Sequence, residues 1–300
     1  MHMASAPVQP NDPVATPHAA RIDLVVQGID IGTPELKELA RLTGASGIVA
    51  LHGAATQAFR LLLPIERAPI APFCAGAGFD CGLVPREQAL ERVRLVAMDM
   101  DSTLITIECI DEIADAIGIK PQVSAITASA MRGEIDFCES LTRRVALLAG
   151  LSVTALQRVY DERLRLSPGA ERMLAGFKRV GAKTMLVSGG FTFFTDRLKA
   201  RLGFDHTASN TLAIGDGRLT GRIEGNVVDA EAKAAAFARL GNEVAGPGGL
   251  IVAIGDGAND LPMLAQADVS IAFRAKPIVR DKATYAIDHC GLDAVLNLFA

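Results

Sequence analysis

Three apolar runs in this chain each stop at the same kind of loop. Leu95-Val96-Ala97-Met98 ends in Asp99-Met100-Asp101-Ser102-Thr103, and Lys183-Thr184-Met185-Leu186-Val187 ends in Ser188-Gly189-Gly190. Leu250-Ile251-Val252-Ala253-Ile254 ends in Gly255-Asp256-Gly257-Ala258-Asn259-Asp260. Short apolar runs closed by glycine or polar turn residues read as buried strands. Helical patterns over 191–202, 230–240 and 260–267 lie between or after them, and Val269–Phe273 reads as a further strand. Strands alternating with helices predict a Rossmann-like α/β fold, a mostly parallel sheet covered on both faces. In such sheets chemistry sits beyond the carboxyl ends of the strands, which is where the polar loops fall.

One Asp at a strand end is usually a cap or a turn residue. Four acids on these strand ends, Asp99, Asp101, Asp256 and Asp260, are harder to explain that way, because crowded like charges need a compensating cation. Mg²⁺ suits oxygen ligands and keeps several waters, so two or three carboxylates suffice. Asp99 and Asp256 are the expected ligand pair, joined by the backbone carbonyl of Asp101, with Asp260 acting through water or from behind the ligands. The five histidines (His2, His18, His52, His206, His289) are scattered, which argues against Zn²⁺. Ser188 with the amides at Gly189 and Gly190 forms an anion cradle, and Lys233 on a predicted helix adds a cation. A lone lysine is normally solvent-facing, so its place depends on the rest of the site.

The bulk numbers set limits. Three hundred residues allow one large domain or two smaller ones. The formal net charge of -4 argues against a nucleic-acid partner. No apolar run approaches the roughly 20 residues needed to span a bilayer. Five cysteines without a Cys-x-x-Cys pair fit a reduced, cytoplasmic protein. Residues 1–20 read as a disordered tail, and residues 21–92 as a small N-terminal βαββ-like unit. In that unit Ile22–Val26, Gly47–Leu51 and Ala58–Leu63 are expected strands, and Thr33–Thr43 is a helix capped by Thr33 with Pro34 at its first position. The Pro- and Gly-rich stretch Pro64–Pro85 reads as a linker. Residues 93–300 are the expected catalytic domain. Residues 218–229 read as a β-ribbon that brings Lys233 into place.

Asp99-x-Asp101-Ser102-Thr103, Ser188-Gly189-Gly190, Lys233 and Gly255-Asp256-Gly257-x-Asn259-Asp260 resemble the four ordered motifs of the haloacid dehalogenase superfamily of phosphohydrolases, over about two thirds of the chain. The resemblance implies that superfamily's parallel sheet, with a helical cap inserted after the first strand at about 106–166, plus the small N-terminal α+β domain. It implies Asp99 as nucleophile, attacking phosphorus to give an aspartyl-phosphate, and Asp101 as general acid and base. It assigns the phosphoryl oxygens to Ser188, Gly189 and Lys233, the metal to Asp256, and orientation of substrate or Lys233 to Asn259.

Glu108-Cys109-Ile110-Asp111-Glu112, Met131-Arg132-Gly133-Glu134-Ile135-Asp136-Phe137 and Ser140-Leu141-Thr142-Arg143-Arg144-Val145 resemble the cap of phosphoserine phosphatases. There a Glu binds the substrate ammonium and an Arg its carboxylate, and the matching positions are Glu108 and Arg144. An amino-acid phosphate needs that pair, one anion and one bidentate fork. Phe137 and Met131 would form a small apolar lid. Arg143 is the weaker candidate, since neighbours on a helix point about 100° apart. Asp111, Glu112 and Asp115 are expected on a solvated helix face, and Cys109 in the core. The implied activity is hydrolysis of O-phosphoserine at the end of serine biosynthesis. The alternative is a phosphotransferase, or a phosphatase for another small phosphomonoester, with the same Asp99 chemistry. The expected partner is the small-molecule substrate, without nucleic acid or membrane. The N-terminal unit loosely resembles the small regulatory domains that precede some phosphoserine phosphatases; binding of an amino acid is one reading, and packing against the catalytic domain or mediating a homodimer is the favoured expectation.

Overall fold

The computed structural model describes residues 21–52 and 56–300; the tail expected over residues 1–20 lies outside them. The N-terminal unit is a four-stranded antiparallel sheet. Its strands β1 (Ile22–Gly28), β2 (Gly47–Leu51), β3 (Gln57–Leu62) and β4 (Asp80–Pro85) lie in the order β2-β3-β1-β4. Helices α1 (Thr33–Thr43) and α2 (Ile70–Ala77) cover one face, burying Leu36, Leu39, Ile70 and Cys74 against Leu24, Val26 and Leu61.

Two expectations are corrected here. Thr33 is the first helical residue of α1 and not its cap. Gly32 holds the extended cap position, and no side chain caps the helix. The stretch 64–85 is not a linker, because it contains α2 and β4. Pro72 falls in the first turn of α2, where a missing N–H costs little. Gly78 closes that helix at φ 70, a left-handed conformation that glycine adopts without strain. The turn residues that suggested a linker therefore punctuate a helix and a strand, and the unit is βαββαβ.

The second sheet has seven strands, β5 (Val93–Met98), β6 (Lys183–Phe191), β7 (His206–Gly215), β8 (Arg218–Glu224), β9 (Leu250–Gly255), β10 (Val269–Phe273) and β11 (Tyr285–Ile287). Their order is β11-β10-β9-β5-β6-β7-β8, parallel throughout except for the β7–β8 hairpin. The expected ribbon is this hairpin, begun by β7. Between β5 and β6 the chain forms α3 (Cys109–Ala116), α4 (Lys120–Met131), α5 (Phe137–Ala146), α6 (Val153–Arg158) and α7 (Ala170–Arg179). After β6 follow α8 (Thr192–Leu202), α9 (Ala230–Val244), α10 (Leu261–Leu264) and α11 (Pro277–Arg280).

The sheet is buried on both faces. Val96, Met98, Leu186 and Ile254 belong to the larger core, which also takes in Phe177 of α7, Phe194 of α8 and Leu141 of α5. Leu95, Ala97, Val187 and Ala253 point the other way, to Ala234 and Phe237 of α9 and Met263 of α10. Alternation along each strand supplies both faces with apolar groups. This is an α/β fold with a parallel sheet, a helical insertion after the first strand of that sheet, and a small N-terminal α+β unit. Among the described residues no helix is long and apolar enough to cross a membrane.

Candidate active site

β5 lies between β9 and β6. The three polar loops singled out in the sequence are therefore neighbours at one sheet edge. The Asp99 N–H donates to the Ile254 carbonyl at 3.0 Å, which ties the first loop to the strand carrying the third. One carboxylate oxygen from each of Asp99, Asp256 and Asp260 lies within 4.8 Å of the others. Lys233 of α9, only 1% exposed, reaches up beneath them. Its ammonium donates to Asp99 Oδ1 and to Asp260 Oδ1, both at 2.6 Å. Asp229 caps α9 by accepting the Ala232 N–H at 2.9 Å, and so fixes the start of the helix that delivers Lys233.

The acids differ in how they are held. The other oxygen of Asp260 accepts the backbone N–H groups of Asp256 (3.2 Å) and Gly257 (3.0 Å), so Asp260 organises the third loop from below. Asp256 takes the Thr103 hydroxyl on Oδ1 at 3.1 Å. Asp101 accepts the Cys109 N–H at 2.9 Å, at the root of the cap. The loop between them turns at Ser102, φ 57, whose hydroxyl donates to Glu108 at 2.7 Å. Opposite, the Gly190 N–H donates to Ser188 Oγ at 2.8 Å. A Cβ on Gly190 would sit 2.9 Å from Asp101 Oδ2 and from Ser188 Oγ, so any side chain there would crowd the acid.

Negative charge is in surplus. Burial, then the charge of Asp260, pushes Asp99 well above the ordinary carboxyl range, although Lys233 opposes both. Burial and the neighbouring Glu108 push Asp101 up to about 7. Burial, Asp260 and Glu108 push Asp256 up to about 6. Burial alone would lower Lys233, but the charges of Asp99 and Asp260 outweigh it and raise the lysine, keeping it a cation. One ammonium does not neutralise this group of acids. A divalent cation held by oxygen would complete the balance, and the clustered carboxylates fit one.

A cavity of about 460 Å³ opens above the acids. Asp99, Asp101, Asp256, Ser188, Gly189 and Asn259 form its floor, while Glu108, Met131, Phe137 and Arg144 form the wall on the cap side. The Phe137 ring packs over Gly189, where an added Cβ would meet its tip at 3.0 Å. Lys233 and Asp260 lie beneath the floor, both buried.

The family model for haloacid dehalogenase-like hydrolases matches residues 93–268. The chain belongs to that family. A model for a domain of unknown function, DUF4072, matches residues 24–63 of this hydrolase. The hydrolase is 52% identical over 214 residues to a phosphoserine phosphatase of Polaromonas sp. (strain JS666), covering 70% of this chain and 91% of that one. It is 42% identical over 280 residues to a phosphoserine phosphatase of Streptomyces coelicolor, covering 93% of this chain and 65% of that one. Among solved structures it resembles a HAD family hydrolase, t0658, from Salmonella enterica serovar Typhi, with TM-score 0.83, 34% identity, and coverage of 93% and 98%. It also resembles a probable phosphoserine phosphatase from Vibrio cholerae, with TM-score 0.80, 33% identity, and coverage of 94% and 88%.

Some residues of the hydrolase stand where sequence reasoning did not put them. Asp111 was expected on a solvated helix face, yet it lines the cavity. It lies in the first turn of α3, three residues after Glu108, which holds the extended cap position of that helix. Glu112 and Asp115 instead pair with Arg163, at 2.7 and 2.5 Å. Lys276 also lines the cavity, and no motif marks it. Arg143 is exposed and paired with Glu139, whereas Arg144 turns to the cavity with its Nε on the Ser140 carbonyl at 3.3 Å. Met131 lines the cavity mouth but is 73% exposed, so as the site stands it covers little. Cys109 is buried, as a core residue should be.

Proposed function

We propose that this hydrolase is a Mg²⁺-dependent phosphatase converting O-phosphoserine to serine and phosphate through an aspartyl-phosphate on Asp99, the last step of serine biosynthesis, in the cytoplasm. The observation that carries the reading is the convergence of Asp99, Asp256 and Asp260 within 4.8 Å over a buried Lys233, facing a cap wall that presents Glu108 and Arg144. Relatives named phosphoserine phosphatase support the substrate.

Asp99, Asp256 and the Asp101 carbonyl would hold Mg²⁺, with Asp260 fixing them from behind. The ion supplies positive charge to the phosphoryl oxygens and keeps Asp99 ionised. The free carboxylate oxygen of Asp99 attacks phosphorus as the P–O bond to the serine oxygen breaks. Asp101 delivers its proton to that leaving oxygen, a task suited to a carboxyl pushed up to about 7. Water, giving its proton to Asp101, then attacks the phosphorus of the phospho-aspartate as the P–O bond to Asp99 breaks, which releases phosphate and restores the Asp99 carboxylate and the protonated Asp101. Ser188, the Gly189 amide and Lys233 hold the phosphoryl oxygens, with Asn259 orienting them. Glu108 takes the substrate ammonium and Arg144 its carboxylate, while Phe137 and Met131 close over the site as the cap moves. In this reading the catalytic unit spans 93–300 with its cap at about 106–166, and the N-terminal unit spans 21–92.

The test is phosphate release from O-phosphoserine against a panel of sugar and nucleotide phosphates, with Mg²⁺ and with EDTA. Release confined to phosphoserine and stopped by EDTA is expected. Equal release from the whole panel would remove the substrate assignment, and release unaffected by EDTA would remove the metal.

A further inference from the structure

A chain of short contacts runs from the N-terminal sheet to the wall of the catalytic cavity. It begins at Asp80, the first residue of β4, buried at 4% exposure. Its carboxylate accepts the backbone N–H of Asp288 at 2.8 Å and of Cys290 at 2.9 Å. The His289 N–H is shared between its two oxygens, at 3.2 and 3.1 Å. A buried carboxylate that takes three consecutive main-chain donors fixes the path of that segment.

The segment follows β11 and in turn holds the loop after β10. The Arg274 N–H donates to the Ile287 carbonyl at 2.7 Å, and the Arg274 guanidinium reaches the Cys290 carbonyl at a long 3.5 Å. Arg274 has φ 47, a left-handed conformation that a residue with a side chain keeps only when its surroundings impose it. Two residues on, the Lys276 N–H donates to the Asp256 carbonyl at 3.1 Å. Lys276 lines the cavity, and its charge is felt at both Glu108 and Asp256.

We propose that Lys276 is a substrate-binding residue for the anionic phosphomonoester, and that Asp80 is a positioning residue that holds it there through the 287–290 segment and Arg274. The N-terminal sheet is thereby a brace for the cavity of the neighbouring domain. This rests on the phosphatase reading above. Other polar contacts between the same two units end elsewhere. Asn297 donates to Gln27 at 2.9 Å, and Arg60 to the Phe299 carbonyl at 3.0 Å, both beyond the braced segment.

The experiment is a double-mutant cycle on the full chain with Mg²⁺ and O-phosphoserine. Lys276→Gln should raise KM about tenfold with kcat within about twofold, and flatten the salt dependence of kcat/KM; Lys276→Arg should restore most of the loss. Asp80→Asn should raise KM about three- to tenfold, and the double variant should be no worse than Lys276→Gln alone. Arg274→Gln, at an exposed position, should reproduce the same rise and the same non-additivity if Asp80→Asn folds poorly. Asn297→Ala should lower Tm without moving KM. Asp80→Asn and Arg274→Gln that change Tm alone, or whose effects multiply with Lys276→Gln, would overturn the brace. The same cycle read on the Kd of inorganic phosphate needs no turnover. It separates a failed brace from a failed substrate assignment, which would show as wild-type protein that binds phosphate but does not hydrolyse phosphoserine.

Discussion

Two buried acid–cation groups of the described residues are balanced in opposite directions. In the N-terminal sheet Asp23, 1% exposed, accepts Arg86 Nε at 2.8 Å, Arg86 Nη2 at 3.0 Å and the Leu63 N–H at 3.0 Å, with Arg60 at 3.9 Å. Burial pushes the Asp23 carboxyl up, but these donors and charges outweigh it and hold it below the ordinary value. At the carboxyl edge of the parallel sheet the ratio is reversed. Several acids share one lysine, and Asp99, Asp101 and Asp256 all sit above the ordinary range. The first cluster is complete and serves the fold. The second keeps an unbalanced negative charge, which marks a candidate site and not a structural ion pair.

The largest expected effect breaks the second cluster chemically. Asp99→Asn should lower kcat by at least about a thousandfold, because an amide neither attacks phosphorus nor carries charge to a metal. Its metal-free Tm should stay level or rise, since one of the crowded like charges is gone. Asp23→Ala should do the reverse, leaving kcat alone while costing on the order of 2 kcal/mol of stability through the stranded Arg60. If urea unfolding ranked Asp99→Asn as the more damaging of the two, the contrast would fail.

A second pair sharpens the contrast within the cap. Arg144→Ala should cost on the order of 2–4 kcal/mol in kcat/KM for phosphoserine and far less for an aryl phosphate that lacks an amino-acid end. Arg143→Ala, which removes only the exposed pair with Glu139, should change either by less than about 0.5 kcal/mol. Equal losses on both substrates would take Arg144 out of the substrate wall.

The smallest effect is in the pH dependence of metal-free stability, where the two clusters should have opposite signs. Asp101 and Asp256 bind protons more tightly folded than unfolded. Their contribution is therefore full below about pH 4 and is lost as pH rises through about 6 to 7. Asp23 is lowered in the fold. Its contribution is present above its ordinary value of 3.8 and is lost as pH falls through the lower folded value. Urea midpoints in EDTA from pH 3 to 8 should show Asp256→Asn flattening the near-neutral slope and Asp23→Ala the acidic one. If Asp256→Asn left the near-neutral slope unchanged, the surplus of charge at the sheet edge would be refuted.

Much of this was legible along the chain because strand ends are local. Apolar runs stopping at acids and glycines marked β5, β6 and β9, and one more step made them neighbours: parallel strands deliver their carboxyl ends to one edge. The reading failed where a residue's meaning depended on what it packs against. The prolines and glycines of 64–85 look the same whether they interrupt a linker or begin and end α2. The burial of Phe79 and Cys74 decides between those, and both are packed by residues distant in sequence.

The sequence by itself determined the strands that carry the site, the identity of the acids at their ends, and the family to which those motifs belong. Each of these is written in residues a few positions apart. Only the tertiary structure decided that Lys233 is buried beneath two carboxylates, that Asp111 and Lys276 line the cavity, and that Asp80 reaches across to the segment after the last strand. A charge acquires its role from the charges and amides within a few ångströms of it, and those partners lie far away along the polypeptide until the sheet is assembled.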